Sequence, residues 1–239
     1  MEDKNQRFTK MKTGMAVAIL AGLLLISSVS VSTANDMAAV QGLVDRAQLT
    51  LREFMRDPNY TWLHENLDQA KGVLIFPQAL KGGFILGGSG GTGVFLVRND
   101  RTGDWSQPAF YTIGSVTFGL QIGGEAAEVV MLAMSQRAID SLLSSSFKLG
   151  GDVSLAVGPV GMGAKASADI PSVTADFITF TKSKGLYGGL NLEGAVVAVR
   201  DSLNEAYYGK NVRPVDIVER HAVLNSRSAE LRETLKCKC

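Results

Sequence analysis

The sequence predicts an α+β fold, in which N-terminal helices and one internal helix pack on a mainly antiparallel, strongly curved, glycine-rich sheet, a sandwich or partial barrel. Three observations carry this prediction. Apolar residues recur at helical spacing before Gly72, short β-rich runs fill the chain after it, and one stretch among those runs has a helical pattern. Parallel βαβ winding needs a helix between most strand pairs, so a single internal helix favours antiparallel pairing.

An amphipathic helix is predicted between Met37 and residue 56, because apolar residues recur there every three or four positions with charged residues between them. Its apolar face includes Val40, Leu43, Val44, Leu51 and Phe54. The stretch Asp57-Pro58-Asn59 ends this helix. A second, shorter helix is expected from Tyr60 to Lys71, closed by Gly72.

The strands are predicted from short β-rich runs separated by Gly, Pro or Asn-Asp. Before the internal helix the runs are Val73–Phe76, Gly83–Gly88, Gly93–Arg98, Ala109–Gly123 and Glu125–Met134. The internal helix, capped by Ser135, is predicted from Gln136 to Ser145. The later runs are Gly151–Val157, Ala164–Asp169, Asp176–Lys182, Gly185–Leu192 and Gly194–Asp201. The charged stretch from Pro214 to Cys239 is expected to be helical.

Glycine is unusually frequent: the 26 glycines make up about 11% of the 239 residues, against a usual share of ~7%. Many of them fall inside the predicted strands, where glycine marks tight bends or places at which another backbone or a ligand comes close. Gly88 to Gly93 also has the letters of the dinucleotide fingerprint GxGxxG. Because a strand-like run, Val94–Val97, follows it instead of a helix, we expect no nucleotide site there.

The first 34 residues predict a secretory leader. Basic residues precede an apolar run from Met15 to Ile26, and small residues ending in Ser32-Thr33-Ala34 follow it. The leader is either cleaved before Asn35 or retained as a membrane anchor, although the apolar run is shorter than the ~20 residues that span a bilayer. The chain therefore divides into a signal peptide or anchor at 1–34, one domain at 35–215 that includes the amphipathic helix at 37–56, and a charged tail at 216–239.

Composition excludes several classes of function. A formal charge of +1 argues against a protein that neutralises many nucleic-acid phosphates, so no nucleic-acid partner is expected. Two His and two Cys leave few ligands for zinc, haem or iron–sulfur chemistry, so we expect no metal and no cofactor. The sequence contains no GxSxG elbow, and His64 and His221 fall in surface-like segments, so we expect no catalytic residue and no enzymatic activity.

Both cysteines, Cys237 and Cys239, lie at the C-terminus. Cysteines two positions apart rarely bond to each other without strain. In an oxidising compartment they favour an intermolecular disulfide through Cys237 or Cys239, and so a homo-oligomer, or a free dithiol. A tail without such a role is the alternative.

Several blocks of the sequence, in the same order, resemble the SYLF lipid-binding domain, also known as the actin-binding domain of the yeast YSC-type SH3 proteins. The blocks are Ala70–Pro77, Lys81–Gly88 with Gly93-Val94, Trp105 with Pro108, Gly119–Gly124, Leu149–Ser154 with Gly158–Gly161, Ser183–Gly189 and Tyr207–Gly209. The resemblance covers roughly residues 40 to 215. It implies non-enzymatic binding of membrane lipid, directed in eukaryotic members at phosphoinositide headgroups and assisted by an amphipathic N-terminal helix, with actin bundling in some members.

Together with the leader, the resemblance implies an exported bacterial member in the periplasm or cell envelope, with ordinary anionic phospholipid as its ligand. Glycine would let the main chain approach a headgroup phosphate without a Cβ in the way. The candidate lipid-binding residues are Lys81, Arg98, Lys182 and Lys184 in the glycine-rich patch, and Val40, Leu43, Val44, Leu51 and Phe54 on the helix.

Other interpretations stay open at this point. The glycines can simply relieve crowding in a coiled sheet, and the amphipathic helix can pack on that sheet. A structural or scaffolding envelope protein that acts through protein–protein contacts is the main alternative function, and a small-molecule carrier with a cavity in the curved sheet is another. Actin binding is not expected for an exported protein.

Overall fold

The computed structural model describes residues 36–83, 86–118, 123–161, 175–184 and 192–236. The chain divides into two compact units, Met1–Ala39 and Val40–Cys239, and the whole sheet lies in the second. None of the helices in the described ranges combines the length and the apolar character that a bilayer crossing requires.

Helices lie at the start, in the middle and at the end of the described chain. Helix α1 spans residues 36–56, and α2 (Thr61–Asn66) lies between two 3-10 turns. The later helices are α3 (Gln136–Leu143), α4 (Asp201–Tyr208), α5 (Pro214–Val218) and α6 (Ala229–Lys236). As the sequence predicts, Ser135 caps α3: its hydroxyl accepts a hydrogen bond from the N–H of Ala138 at 3.1 Å.

Eight strands form one sheet. In chain order they are β1 (Gly72–Gly83), β2 (Leu86–Val97), β3 (Ala109–Phe118), β4 (Gly123–Ala133), β5 (Ser146–Lys148), β6 (Leu155–Val157), β7 (Phe177–Lys184) and β8 (Val196–Val199). They are arranged as β5-β8-β3-β2-β1-β4-β7-β6, and only the β6–β7 pair is parallel. The sheet is strongly curled into a half-barrel. The predicted α+β class with a mainly antiparallel, curved sheet is confirmed.

The curl has a local cause in the centre of the sheet. The register of β1 shifts around Pro77 against both of its neighbours, which is a β-bulge. Across from it on β2, a Cβ on Gly93 would lie 2.3 Å from the carbonyl oxygen of Ile75, and a Cβ on Gly91 would lie 2.6 Å from that of Gln78. Only glycine permits this approach, so the bulge and the two glycines together bend the strands.

Each face of the sheet carries its own hydrophobic core, because successive strand residues point to opposite faces. Helices α3 and α5 cover one face, where the strand residues include Leu74, Phe95, Tyr111 and Met131. Helices α1, α2 and α6 cover the other, where the strand residues include Val73, Val94, Phe110 and Val130. The helices therefore cover both sides of the part of the sheet that begins at Gly72.

Several predicted boundaries are corrected. The run Val73–Phe76 is extended, because β1 continues through Pro77 to Gly83 by means of the bulge, and the runs Gly83–Gly88 and Gly93–Arg98 are not separate strands, because β2 spans Leu86–Val97. The second predicted helix is broken into α2 and the 3-10 turns, and the tail from Pro214 contains two helices with a loop between them. Helix α4 and the short β5 are not predicted. The predicted strand Ala164–Asp169, most of Gly185–Leu192, and both cysteines lie outside the described residues.

Candidate binding surface

The apolar face of α1, predicted to contact lipid, lies in the core against the sheet. Val40, Leu43, Val44, Leu51 and Phe54 are all buried. They belong to one cluster with sheet residues and with Leu231 and Leu235 of α6. The alternative given for this helix, that it packs on the sheet, is therefore the one that the structure has. A membrane could take up these side chains only after α1 had left the sheet.

Polar contacts also hold α1 and the turn after it. The hydroxyl of Thr50 donates to the buried carboxylate of Glu128 on β4 at 3.5 Å. Just beyond α1, Oδ2 of Asp57 forms an ion pair with Nζ of Lys182 on β7 at 3.3 Å. The backbone N–H of Asn59, together with the Lys182 ammonium, holds the pKa of Asp57 below its usual range. The charge of Lys182, a predicted lipid contact, is thus already matched within the chain.

The structure does not bring the four predicted basic residues together. Arg98 follows β2 at the end of the sheet near Gly72, where its N–H donates to the carbonyl oxygen of Lys71 at 2.8 Å. Lys81 pairs in register with Ser89, and the distance along β2 from there to Arg98 is roughly 30 Å at about 3.3 Å per residue.

Lys81 and Lys182 lie on opposite faces of the sheet. Lys182 pairs with Glu128, whose side chain lies under α1, so Lys182 shares the α1 face. Lys81 pairs with Ser89, which alternates along β2 with the residues of that face. Lys184 is the last residue of β7, and its side chain lies outside the described residues. The predicted basic patch is therefore not assembled in this structure.

A different set of residues forms a continuous surface at the glycine-rich end of the sheet. Directly paired residues of antiparallel strands share a face, and the register places one such row across seven strands. From β5 to β7 the row is Lys148, Val196, Gly114, Gly90, Leu80, Ala126 and Lys184. The next row adds Val116, Gly88 and Gly82 from β3, β2 and β1. We call these residues the glycine face.

The glycine face continues the side of the sheet on which α1 packs, beyond the residues that α1 covers. Its three largest aliphatic side chains are exposed, Leu80 by 54%, Val116 by 71% and Val196 by 44%. Neither row contains an acidic residue, and a lysine stands at each end of the longer row in register. The surface consists of exposed aliphatic side chains and glycines, and Lys148 is an exposed basic residue at one end of it.

The opposite face of the same strand ends is polar. Ser89 and Ser115 alternate with the glycines along β2 and β3, and their hydroxyl groups share a hydrogen bond of 2.7 Å. Lys81 stands beside Ser89 in register. The glycine-rich end of the sheet is therefore amphipathic across its thickness.

The sequence alone does not identify Leu80, Val116 and Val196 as members of one surface. The alternation of Gly88 and Gly90 with Ser89 signals a face of small residues along β2. Which residues lie beside those glycines depends on the pairing of β8, β3, β2 and β1, and that register is set by contacts distant in sequence.

The two histidines lie outside the glycine face. Nε2 of His64 donates to the carbonyl oxygen of Phe54 at 2.8 Å, which gives it a structural role. His221 has a φ of 51° and borders an open groove of about 540 Å³ that Trp105 and Arg232 also line. Across the described ranges, no three His, Cys, Asp or Glu side chains are grouped so that they could hold a metal ion.

Comparison with known proteins identifies the family. Residues 114–238 match the family model described as Ysc84, Las17-binding protein actin regulator. The SH3 domain-containing YSC84-like protein 1 of Bos taurus is 31% identical over 168 residues, which make up 70% of this chain and 48% of that protein. Protein YSC84 of Saccharomyces cerevisiae is 34% identical over 175 residues, 70% of this chain and 36% of the relative. LAS seventeen-binding protein 3 of the same species is 36% identical over 148 residues, 61% of this chain and 32% of the relative.

The chain spans about a third to a half of the length of these curated relatives. No solved structure matches it. The family model covers more than half of the chain, and its match includes β8, the helices α3 to α6 and part of the glycine-rich end of the sheet. The resemblance found in the sequence is thereby confirmed, and this chain is a member of the Ysc84 family.

Proposed function

We propose that this member of the Ysc84 family is a non-enzymatic module that binds anionic phospholipid membranes in the bacterial cell envelope, to which its leader directs it. The observation that carries the proposal is the exposure of Leu80, Val116 and Val196 together on the glycine face, a surface without acidic residues. An exposed patch of neighbouring apolar residues of a few hundred Å² is often functional.

The expected affinity is modest. Burial of an aliphatic side chain contributes ~1.5–3 kcal/mol when complete, so three partly exposed chains contribute on the order of 3 kcal/mol at a membrane. A lysine close to an anionic surface adds ~1 kcal/mol. The sum supports reversible binding that weakens as salt screens the lysines.

Helix α1 takes no part in this first contact. Release of the buried side chains Val40, Leu43, Val44, Leu51 and Phe54 would cost on the order of 10 kcal/mol, which is comparable with the stability of a whole domain. Insertion of α1 into a membrane therefore requires a separate opening step, and we propose that the closed form already binds.

Vesicle flotation tests this function. Residues 35–239, which contain the whole unit Val40–Cys239, are mixed with vesicles of phosphatidylglycerol and phosphatidylethanolamine at low salt, and with neutral phosphatidylcholine vesicles as the comparison. We expect the protein to float with the anionic vesicles and to be released as the salt concentration rises. Absence of flotation with anionic vesicles at low salt would contradict membrane binding.

Binding of a partner protein is the second candidate function. The family description, Las17-binding protein actin regulator, favours it. The three-residue edge strands β5 and β6 and the groove beside His221 offer surfaces for such a partner. Co-sedimentation with actin filaments tests the named case, and pelleting with filaments together with failure to float would replace the membrane proposal.

A further inference from the structure

We infer that the glycine face itself is the membrane-contacting surface, and that its glycines are present so that lipid can approach the backbone of β1, β2 and β3. The inference rests on the proposed membrane binding and names the site of it. The sequence expectation assigns the contact to α1 and to a basic patch of Lys81, Arg98, Lys182 and Lys184, of which only Lys184 falls in a row of the glycine face.

The glycines of this sheet fall into two groups. Gly91 and Gly93 at the bulge leave no room for a Cβ, and neither does Gly158, where a Cβ would lie 2.1 Å from the ring of Phe180. On the glycine face the opposite holds. A Cβ would meet nothing within 4 Å at Gly82, and its nearest neighbour would lie at 3.4 Å for Gly88, 3.6 Å for Gly90 and 3.8 Å for Gly114, which is ordinary contact.

Among the residues that the structure describes, packing therefore does not require glycine at these four positions. Glycine in a strand also weakens the strand, because it loses more backbone freedom on folding and offers no side chain to its neighbours. A set of glycines that packing does not need, gathered on one exposed face, points to close approach from outside the chain.

The size and charge of the face favour a membrane as the occupant. The longer row spans about 30 Å across seven strands and the shorter one about 10 Å across three, each about 7 Å wide along the strands, so together they cover on the order of 300 Å². A stable protein–protein interface buries ~800 Å² on each partner, so a second copy of this chain would be held poorly. Lys148, an exposed residue at one end of the row, and the absence of acidic residues from both rows match an anionic bilayer.

The bulge makes this contact compatible with α1 on the same side of the sheet. A β-bulge bends the strand that carries it, and the bulge at Pro77 lies between the part of β1 covered by α1 and the part on the glycine face. The half-buried hydroxyl pair of Ser89 and Ser115 lies on the opposite face, away from the bilayer.

Matched charge substitutions on neighbouring residues test the site. Gly90→Asp puts a carboxylate on the glycine face, and Ser89→Asp puts the same charge on the other face of the same strand. We expect Gly90→Asp to weaken binding to phosphatidylglycerol vesicles about tenfold or more, and Ser89→Asp to change it by less than about threefold. Equal losses in the two variants, or no loss in either, would overturn the inference.

A second pair covers the case in which Gly90→Asp does not fold. Leu80→Ser removes an exposed aliphatic side chain from the glycine face, and Leu224→Ser removes one, exposed by 84%, from the loop after α5. We expect the first variant alone to lose flotation, and equal flotation of the two would contradict the assigned site.

A cross-link separates the inference from the function on which it rests. Nε2 of Gln48 on α1 lies 3.2 Å from Oε2 of Glu230 on α6, so Gln48→Cys and Glu230→Cys, joined by a short bismaleimide with Cys237 and Cys239 replaced by Ser, hold α1 on the sheet. If the unmodified protein does not float, the proposed function fails. If it floats and the cross-linked protein does not, the function stands and the glycine face is wrong. We expect both to float.

Discussion

Ser135, the N-cap of α3, donates a hydrogen bond from its hydroxyl to Oδ1 of Asp176 over 2.5 Å. Oδ2 of the same carboxylate accepts bonds from the N–H of Ser154 at 2.9 Å and from its hydroxyl at 2.8 Å. A single buried side chain thus connects the start of α3, the segment before β6 and the segment before β7.

We expect Asp176→Asn to destabilise the fold at neutral pH by about 1.5–3 kcal/mol, because bonds to a charged acceptor are lost. Burial opposes ionisation of Asp176, but the hydrogen bonds from Ser135 and Ser154 outweigh it and hold its pKa below the usual range. Its stabilising effect is therefore complete above the unfolded pKa and is lost as the pH falls through the folded one. In urea unfolding, the free energies of unfolding of the original protein and of Asp176→Asn should become equal in acid. Asp140→Asn, at an exposed position, is the control.

Two glycine-to-alanine substitutions should have opposite consequences. Gly93→Ala forces a Cβ to within 2.3 Å of the carbonyl oxygen of Ile75, so we expect a loss of about 1–3 kcal/mol or more. Gly82→Ala meets open space and should leave stability within about 1 kcal/mol of the original, or raise it. Thermal unfolding measures both, and similar melting temperatures would show that the bulge does not need glycine.

Leu51→Ala tests the placement of α1. Leu51 is fully buried in the core beneath the helix, and its truncation should destabilise the domain by about 2–5 kcal/mol. Arg52→Ala, at the next, exposed position, should change stability by less than about 0.5 kcal/mol. Chemical denaturation of the two variants should differ clearly, and a small effect at both positions would mean that α1 does not rest on the sheet in solution.

Lys182 and Lys148 should differ in their contribution to membrane binding. Because Lys182 already pairs with Asp57, we expect Lys182→Gln to cost below about 1 kcal/mol of stability and to change vesicle binding by less than about twofold. Lys148→Gln removes a charge from the margin of the glycine face and should weaken binding about three- to fivefold at low salt. Flotation at rising salt should show the larger loss for Lys148→Gln. A larger loss for Lys182→Gln would favour the predicted basic patch as the site instead.

The local part of the fold follows from the sequence, and the non-local part does not. Helical spacing identifies α1, and Ser135 identifies the start of α3, because both signals lie within a few residues. Periodicity shows that Val40 to Phe54 has an apolar face, but a membrane and a sheet would cover that face equally well. The burial of Phe54 and the row that joins Val196 to Leu80 become visible only once strands distant in sequence are paired.

The core beneath α1 joins the two ends of the described chain. It contains Val40 and Leu235, and Gln48 bonds to Glu230. During synthesis from the N-terminus, α1 cannot pack against α6 until almost the entire chain has been made. A chain that cannot close this core until α6 has been made stays unfolded longer during its synthesis.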